Sequence, residues 1–424
     1  MNHLIALALL SLFTAFKVKT GLVQLRPFDG LVAVMFLLTL LGGHRRMQFR
    51  LTAGLLILLP YFFWHMFSAT TVGLENGLRE GLQIAVVTAF ALTLAAQADR
   101  IDHAKLGRLM LVGLLLITAY NIYWHVDHGF WTGWKRLLDP KRAFNFLPLV
   151  LGCLLLCSGG QTRRLYWLLW AGLGVVILFS GERKALAIYL ILSAALAARG
   201  RLLITVPAMA AGIVLVGLFG SMIDNPYLQR QVRTILDPLG STLSLSAIAA
   251  GEMPESMSNA QRKFAATVSM ELFTRHPIIG VGTNAYRDTI EARYAYLPEF
   301  MRLSPHGEIL RILVENGLVG LMLYLSIWGI ALTRLLRVLM TAARAWIISR
   351  EQAVLLPVIL FVPTFFYLSL EAAGTHSLVA LVIISLSPEF CVFALRNRMQ
   401  RAVTATTPIY GHLRSALGRS ASAR

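Results

Sequence analysis

Charge is what this sequence has least of: 14% of its 424 residues are charged, and only 21 are acidic. Soluble domains run near 25% charged. With 57% of residues hydrophobic, the chain lacks the polar surface to cover a water-soluble fold. Cysteine is as scarce. Cys153 and Cys157 share one apolar run and Cys391 lies in another, which excludes a disulfide framework and reads as packing. No Walker loop, dinucleotide fingerprint, His-Glu-x-x-His or Gly-x-Ser-x-Gly is present, so the usual marks of nucleotide, zinc-protease and serine-hydrolase chemistry are missing. There is no Asp-x-Asp pair to hold a divalent ion. His125, Asp127 and His128 match no standard metal spacing. Neither a metal nor a cofactor is expected.

What the chain does have is apolar length. Stretches able to span a bilayer, about 20 residues each, recur at 3–16, 28–43, 51–69, 81–97, 107–122, 144–158, 165–180, 184–198, 202–220, 307–333, 353–371 and 374–395. The expected fold is all-α: a polytopic membrane protein of about twelve transmembrane helices with one large helical loop. Four parts follow: spans one to nine over 1–220, the loop over 221–306, three further spans over 307–395, and a basic tail over 396–424. The first run lacks the basic flank and cleavage site of a signal peptide and is read as a retained span.

The formal charge of +18 would suggest nucleic acid in a soluble protein. Here it follows topology. Alternate connections and the tail hold twenty basic residues against four acids, while the other connections are nearly balanced. Basic residues stay cytoplasmic, so both termini are expected inside and no nucleic acid is expected as partner.

The outward side then holds two unusual segments. Residues 123–142 combine Trp124, Trp131 and Trp134 with Lys135, Arg136, Lys141 and Arg142, which suits a segment lying along lipid headgroups. The long loop has helices of its own. Phe264, Val268 and Leu272 recur at i, i+4, i+8 before His276-Pro277, and a second helix is read from Asn284 to Tyr296. Cations translocated against the positive-inside tendency need a reason, and they cluster: Lys141 and Arg142, Arg183 and Lys184, Arg262 and Lys263, Arg275, Arg287, Arg293 and Arg302. Each alone also serves as contact with anionic lipid. Together, near span ends, they suit a phosphate or diphosphate. His306 follows Ser304 and Pro305, read as N-cap and first helical residue. A helix N-terminus disfavours imidazolium and so favours a neutral, basic histidine.

Three blocks carry a resemblance. His276-Pro277-Ile278-Ile279-Gly280-Val281-Gly282-Thr283-Asn284-Ala285-Tyr286 is similar to a Pro-x-x-Gly-x-Gly-x-Asn-x-aromatic stretch. Pro305-His306-Gly307-Glu308-Ile309-Leu310 with Val314-Glu315-Asn316-Gly317-Leu318-Val319-Gly320 resembles a His-Asn-x-x-Leu…Glu-x-Gly-Leu-x-Gly block. Ser180-Gly181-Glu182-Arg183-Lys184-Ala185 resembles a Ser-x-Ser-Arg-Gly-Ala turn. In this order, over residues 180–325, they resemble the O-antigen ligase/polymerase family of bacterial envelope glycosyltransferases. Lys184 replaces the usual glycine and Gly307 the usual asparagine.

The resemblance implies a GT-C-like enzyme of the bacterial inner membrane, working at its periplasmic face without metal. It would transfer O-antigen from undecaprenyl diphosphate to lipid A–core oligosaccharide, among membrane lipids. His306 would be the base deprotonating the acceptor hydroxyl. Arg183, with Lys184, Arg142 and Arg262, would hold the donor diphosphate, and direct displacement with inversion is expected. A polymerase of the same family stays open; the single dominant loop favours the ligase. A transporter or flippase for an anionic lipid-linked sugar is the alternative from another class.

Overall fold

Runs of Leu, Val, Ile, Phe and Ala between short polar breaks become helices because a bilayer leaves the backbone no other way to pair its own N–H and C=O groups within one segment. The computed structural model describes residues 1–14, 16–20, 23–41, 53–128, 140–180, 183–197, 257–299, 302, 305, 307–370 and 376–396. Its helices are α1 (Asn2–Ser11), α2 (Pro27–Leu41), α3 (Ala53–Val72), α4 (Leu74–Gln97), α5 (His103–His128), α6 (Pro140–Cys157), α7 (Gly160–Ser180) and α8 (Arg183–Ala197), followed by α9 (Met257–Arg275), α10 (Ala285–Arg293), α11 (Glu308–Arg344), α12 (Arg350–Leu370) and α13 (His376–Arg396). Eleven of the twelve expected spans find a helix here; the run at 202–220 lies outside the described residues.

Two details depart from expectation. Strands β1 (Val18–Thr20) and β2 (Val23–Leu25) pair antiparallel between α1 and α2, with Lys19 opposite Gln24. And α4 begins at Leu74, not 81, taking Glu75, Arg79 and Glu80 into its first turns. The helix tolerates Glu80 because its carboxylate finds partners inside the protein, described below.

The helices pack as a bundle: α3 on α4 and α11, α11 on α12, α12 on α6 and α8, and α1 on α2 and α5. Leu58, Phe90, Leu114, Leu147, Leu151, Ile359 and Leu381 fill its core. The outer surface is equally apolar. Leu41 is 70% exposed, Phe63 64% and Leu168 72%, an arrangement that only a lipid surround stabilises. Among the described residues, five helices are long and apolar enough to cross a membrane. The protein is an all-α polytopic membrane protein.

A smaller core sits beside α11. Phe264, Val268 and Leu272 of α9 meet Tyr286 and Ile290 of α10 and Leu297, and Val314 of α11 completes the cluster. The i, i+4, i+8 stripe thus roots the α9–α10 lobe on the first half of α11.

Candidate functional site

At 37 residues, α11 is about 55 Å long, nearly twice the ~30 Å hydrocarbon thickness. It is broken at Gly317, whose backbone is non-helical at φ 65°, ψ −168°. A break frees main-chain groups that must find partners elsewhere, and here five of them bond outside the helix. The Val314 carbonyl accepts from Val281 N–H at 2.9 Å, and the Glu315 carbonyl from Gly282 N–H at 2.9 Å and the Ser68 hydroxyl at 3.0 Å. The Asn316 carbonyl accepts from Trp64 Nε1 at 2.9 Å. Beyond the break, Leu318 N–H donates to Pro277 O at 2.8 Å and Val319 N–H to Ile278 O at 3.4 Å. The glycine-rich loop from His276 to Asn284 is therefore stitched by its backbone to the kink, with α3 bracing the other side.

The glycines make that approach possible. Gly280 has φ 79°, and a Cβ there would come within 2.5 Å of the Glu315 carbonyl; Gly282 has φ 101°, and a Cβ there would come within 2.2 Å of Val72. Thr283 N–H donates to Ser68 Oγ at 3.1 Å, and Thr283 Oγ1 lies 3.1 Å from His65 O and 3.0 Å from Asn316 Oδ1. Asn284, in the left-handed region at φ 65°, starts α10.

Charges collect around this junction. Glu308, Arg311 and Glu315 share one helix face at i, i+3, i+7, and all three are buried. Arg311 grips Glu308 with two donors, Nη2 to Oε1 at 2.5 Å and Nε to Oε2 at 3.0 Å, and gives Nη1 to Glu315 Oε2 at 2.8 Å. A second set joins α3, α4 and the loop. His65 Nε2 is 3.1 Å from Glu80 Oε2, while Asn284 Nδ2 donates to Glu80 Oε1 at 2.6 Å. Ser68 and Trp64 of α3 bond the backbone at Glu315 and Asn316, and Glu308, Arg311 and Glu315 are buried, so the first half of α11 lies against the interior of the bundle. Its carboxylates are held by Arg311 and serve as a clamp.

In the α9–α10 lobe, Glu271 accepts from Tyr294 Oη at 3.0 Å, Arg293 Nη2 at 2.6 Å and Arg275 Nη2 at 3.0 Å. The Tyr294 hydrogen bond, followed by the charge of Arg293, holds the Glu271 carboxyl below the usual carboxylate range. Burial pushes the Tyr286 hydroxyl up to about 12.

The residues flagged by sequence distribute unevenly. His306 lies outside the described residues, as do Ser304 and the Gly181-Glu182 turn. α11 starts at Glu308 with Gly307 as N-cap at φ 145°, three residues later than the expected Ser304 cap. Glu308, in the first turn, is the residue bonded by Arg311. Arg142 is the third residue of α6, Arg183 and Lys184 open α8, and Lys184 is half-buried. α8 begins three residues after α7 ends, and α7 three residues after α6, so α6 and α8 run the same way and these cations lie at one end of the bundle. Gln352 Nε2, opening α12, donates to Leu156 O near the end of α6 at 3.0 Å. α12 is thus antiparallel to α6, and α11, which precedes it, starts at that same end. Arg262 stands exposed on α9, in the lobe. Among the described residues no group of His, Cys, Asp and Glu is arranged to hold a metal.

Sequence reading missed His65, Glu80 and Arg311. Arg311 had a signal in the 308–311–315 spacing; His65, inside Phe62-Phe63-Trp64-His65-Met66, had none without a partner in view.

Residues 149–325, from α6 to just past the break in α11, match the family model described as O-antigen ligase. No curated protein matches the chain.

Proposed function

Because the chain belongs to the O-antigen ligase/polymerase family, we propose that it is the ligase, transferring O-antigen from undecaprenyl diphosphate to lipid A–core oligosaccharide at the periplasmic face of the bacterial inner membrane. The family works as membrane glycosyltransferases on lipid-linked glycans; the choice of ligase and of these partners is our reading. The observation that supports it is the joining of two of the three blocks, with the start of the helix that follows the third at the same end of the bundle. The glycine-rich loop is sewn onto the α11 break, and the starts of α6, α8 and α11 share one end of the bundle.

In this reading His306, one residue before the cap of α11, takes the proton from the acceptor hydroxyl as that oxygen attacks the anomeric carbon. Glu308 and Glu315 are engaged by Arg311, which leaves the histidine as the base of this segment. The leaving undecaprenyl diphosphate is stabilised by Arg183, with Lys184, Arg142 and Arg262 in support, replacing a metal ion. A placed base contributes about 10²–10⁴-fold and a fixed cation at the leaving group about 10²–10³-fold. One displacement inverts the configuration. The division into spans over 1–220, loop over 221–306, spans over 307–395 and tail over 396–424, with both termini cytoplasmic, belongs to the same proposal.

Deleting the gene and running lipopolysaccharide on a gel tests the reading. Bare lipid A–core with accumulated undecaprenyl-linked polymer is expected, restored by the wild type and not by an inserted His306→Ala protein. Core carrying a single repeat would make it a polymerase, and an unchanged ladder would overturn both in favour of a transporter. Restoration by His306→Ala would remove the histidine from the chemistry.

A further inference from the structure

At the other end of α11 a cleft of about 220 Å³ opens against α13. Its level is set by sequence. From Asn316 to Thr333, α11 has 18 residues without a charged side chain, then Arg334 and Arg337. That run rises about 27 Å, close to the hydrocarbon thickness of ~30 Å. α13 likewise runs without Asp, Glu, Lys or Arg from His376 to Pro388 and meets its first carboxylate at Glu389. Both helices therefore reach the headgroup layer at the cleft, opposite the candidate site.

The lining is specific in chemistry. Arg334, Arg337 and Glu389 supply charge, and Val338, Val392 and Phe393 an apolar wall. Two guanidiniums against one carboxylate leave one positive charge over. Arg334 Nη2 donates to Glu389 Oε1. Yet Arg334 Nη1 and Glu389 Oε2 are buried with no partner among the described residues. An Arg–carboxylate pair frequently closes as two parallel bonds; this one is single, leaving one donor and one acceptor unused. A plain loop cation, kept inside by topology alone, would have neither the cleft nor the half-made pair.

We propose that the cleft binds a phospholipid whose headgroup carries an N–H or O–H donor beyond its phosphate. The phosphodiester lies on Arg337 and Nη1 of Arg334, the ammonium of ethanolamine or a hydroxyl of glycerol turns to Glu389 Oε2, and the chains descend past Val392 and Phe393. Such a lipid ties α11 to α13 at the end remote from the transfer reaction, and the assignment does not depend on which transfer the enzyme performs.

Choline lipids share the phosphate and chains but have no donor, so they separate the two halves of the claim. The full-length chain, delipidated in detergent, would be titrated by native mass spectrometry with phosphatidylethanolamine, phosphatidylglycerol and phosphatidylcholine of equal chain length, and with soluble glycerophosphoethanolamine. The ethanolamine and glycerol lipids are expected to bind about 10-fold or more tighter than the choline lipid, as for hydrogen bonds to a charged group. Arg337→Ala should weaken all three lipids by about 10-fold. Glu389→Leu should abolish the preference. Should that variant not fold, Arg337→Ala, at an exposed side chain, still decides. Equal binding of choline and ethanolamine lipids, or lipid binding untouched by Arg337→Ala, would overturn the site. Soluble headgroup binding as tightly as lipid would overturn the lipid assignment.

Discussion

A Cβ on Gly317 would stand 2.2 Å from the carbonyl oxygen of Ile278. The break in α11 and the glycine-rich loop are thus one construction, separated by 39 positions in sequence. Gly317→Ala is expected to lose about 1–3 kcal/mol from its backbone conformation alone, and more from the clash. Gly329 has nothing within 4 Å in the same helix, so Gly329→Ala should be neutral or stabilising by about 0.5–1 kcal/mol. Thermal unfolding of both in detergent checks this, and equal shifts would defeat it.

Removing Arg311 leaves Glu308 and Glu315 buried without their counter-ion. Arg311→Ala should destabilise by about 3–5 kcal/mol. Replacing all three by Gln, Met and Gln should cost much less, since no buried charge remains. Midpoints in denaturant that rank the triple variant below the single one would show that the clamp is not what Arg311 provides.

Glu80 reaches both His65 and Asn284, whereas its contact with Arg79 is 3.7 Å long and Arg79 is 42% exposed along its side chain. Glu80→Ala should therefore cost about 1–3 kcal/mol and lower transfer activity by loosening the loop. Arg79→Ala should change stability by no more than about 1 kcal/mol. A double-mutant cycle of Glu80 with Asn284 should give about 0.5–3 kcal/mol of coupling; additivity would mean that the hydrogen bond is idle.

The Glu271 carboxyl is held below its ordinary 4.5 by Tyr294 and Arg293. A depressed carboxylate stabilises the fold above its unfolded value, and the contribution fades as pH falls through the folded one. Protection of α9 and α10 in hydrogen exchange should thus hold from neutral pH to about 4.5 and fall below it. In Glu271→Gln the lobe should show the weaker protection at every pH, and an unaltered pH profile in that variant would sink the assignment.

Hydropathy alone located eleven of the described helices, because apolar length is a one-dimensional property and lipid imposes it on each helix separately. The α9 stripe of Phe264, Val268 and Leu272 was legible for a similar reason: helical spacing fixes one face whatever covers it. So were the three blocks that marked the family. The role of the glycines was not. Gly280, Gly282 and Gly317 stood in the sequence only as positions of those blocks, and only the fold shows the Glu315 carbonyl, the Val72 side chain and the Ile278 carbonyl lying where their side chains would be. His65 and Glu80 lie 15 residues apart on two helices, and nothing in their sequence spacing links them. Burial made them partners, since a carboxylate inside a membrane protein persists only where something pairs with it. The sequence determined which segments are apolar helices and which residue types they carry. Tertiary structure decided which of those residues meet, because meeting depends on how helices far apart in sequence cross.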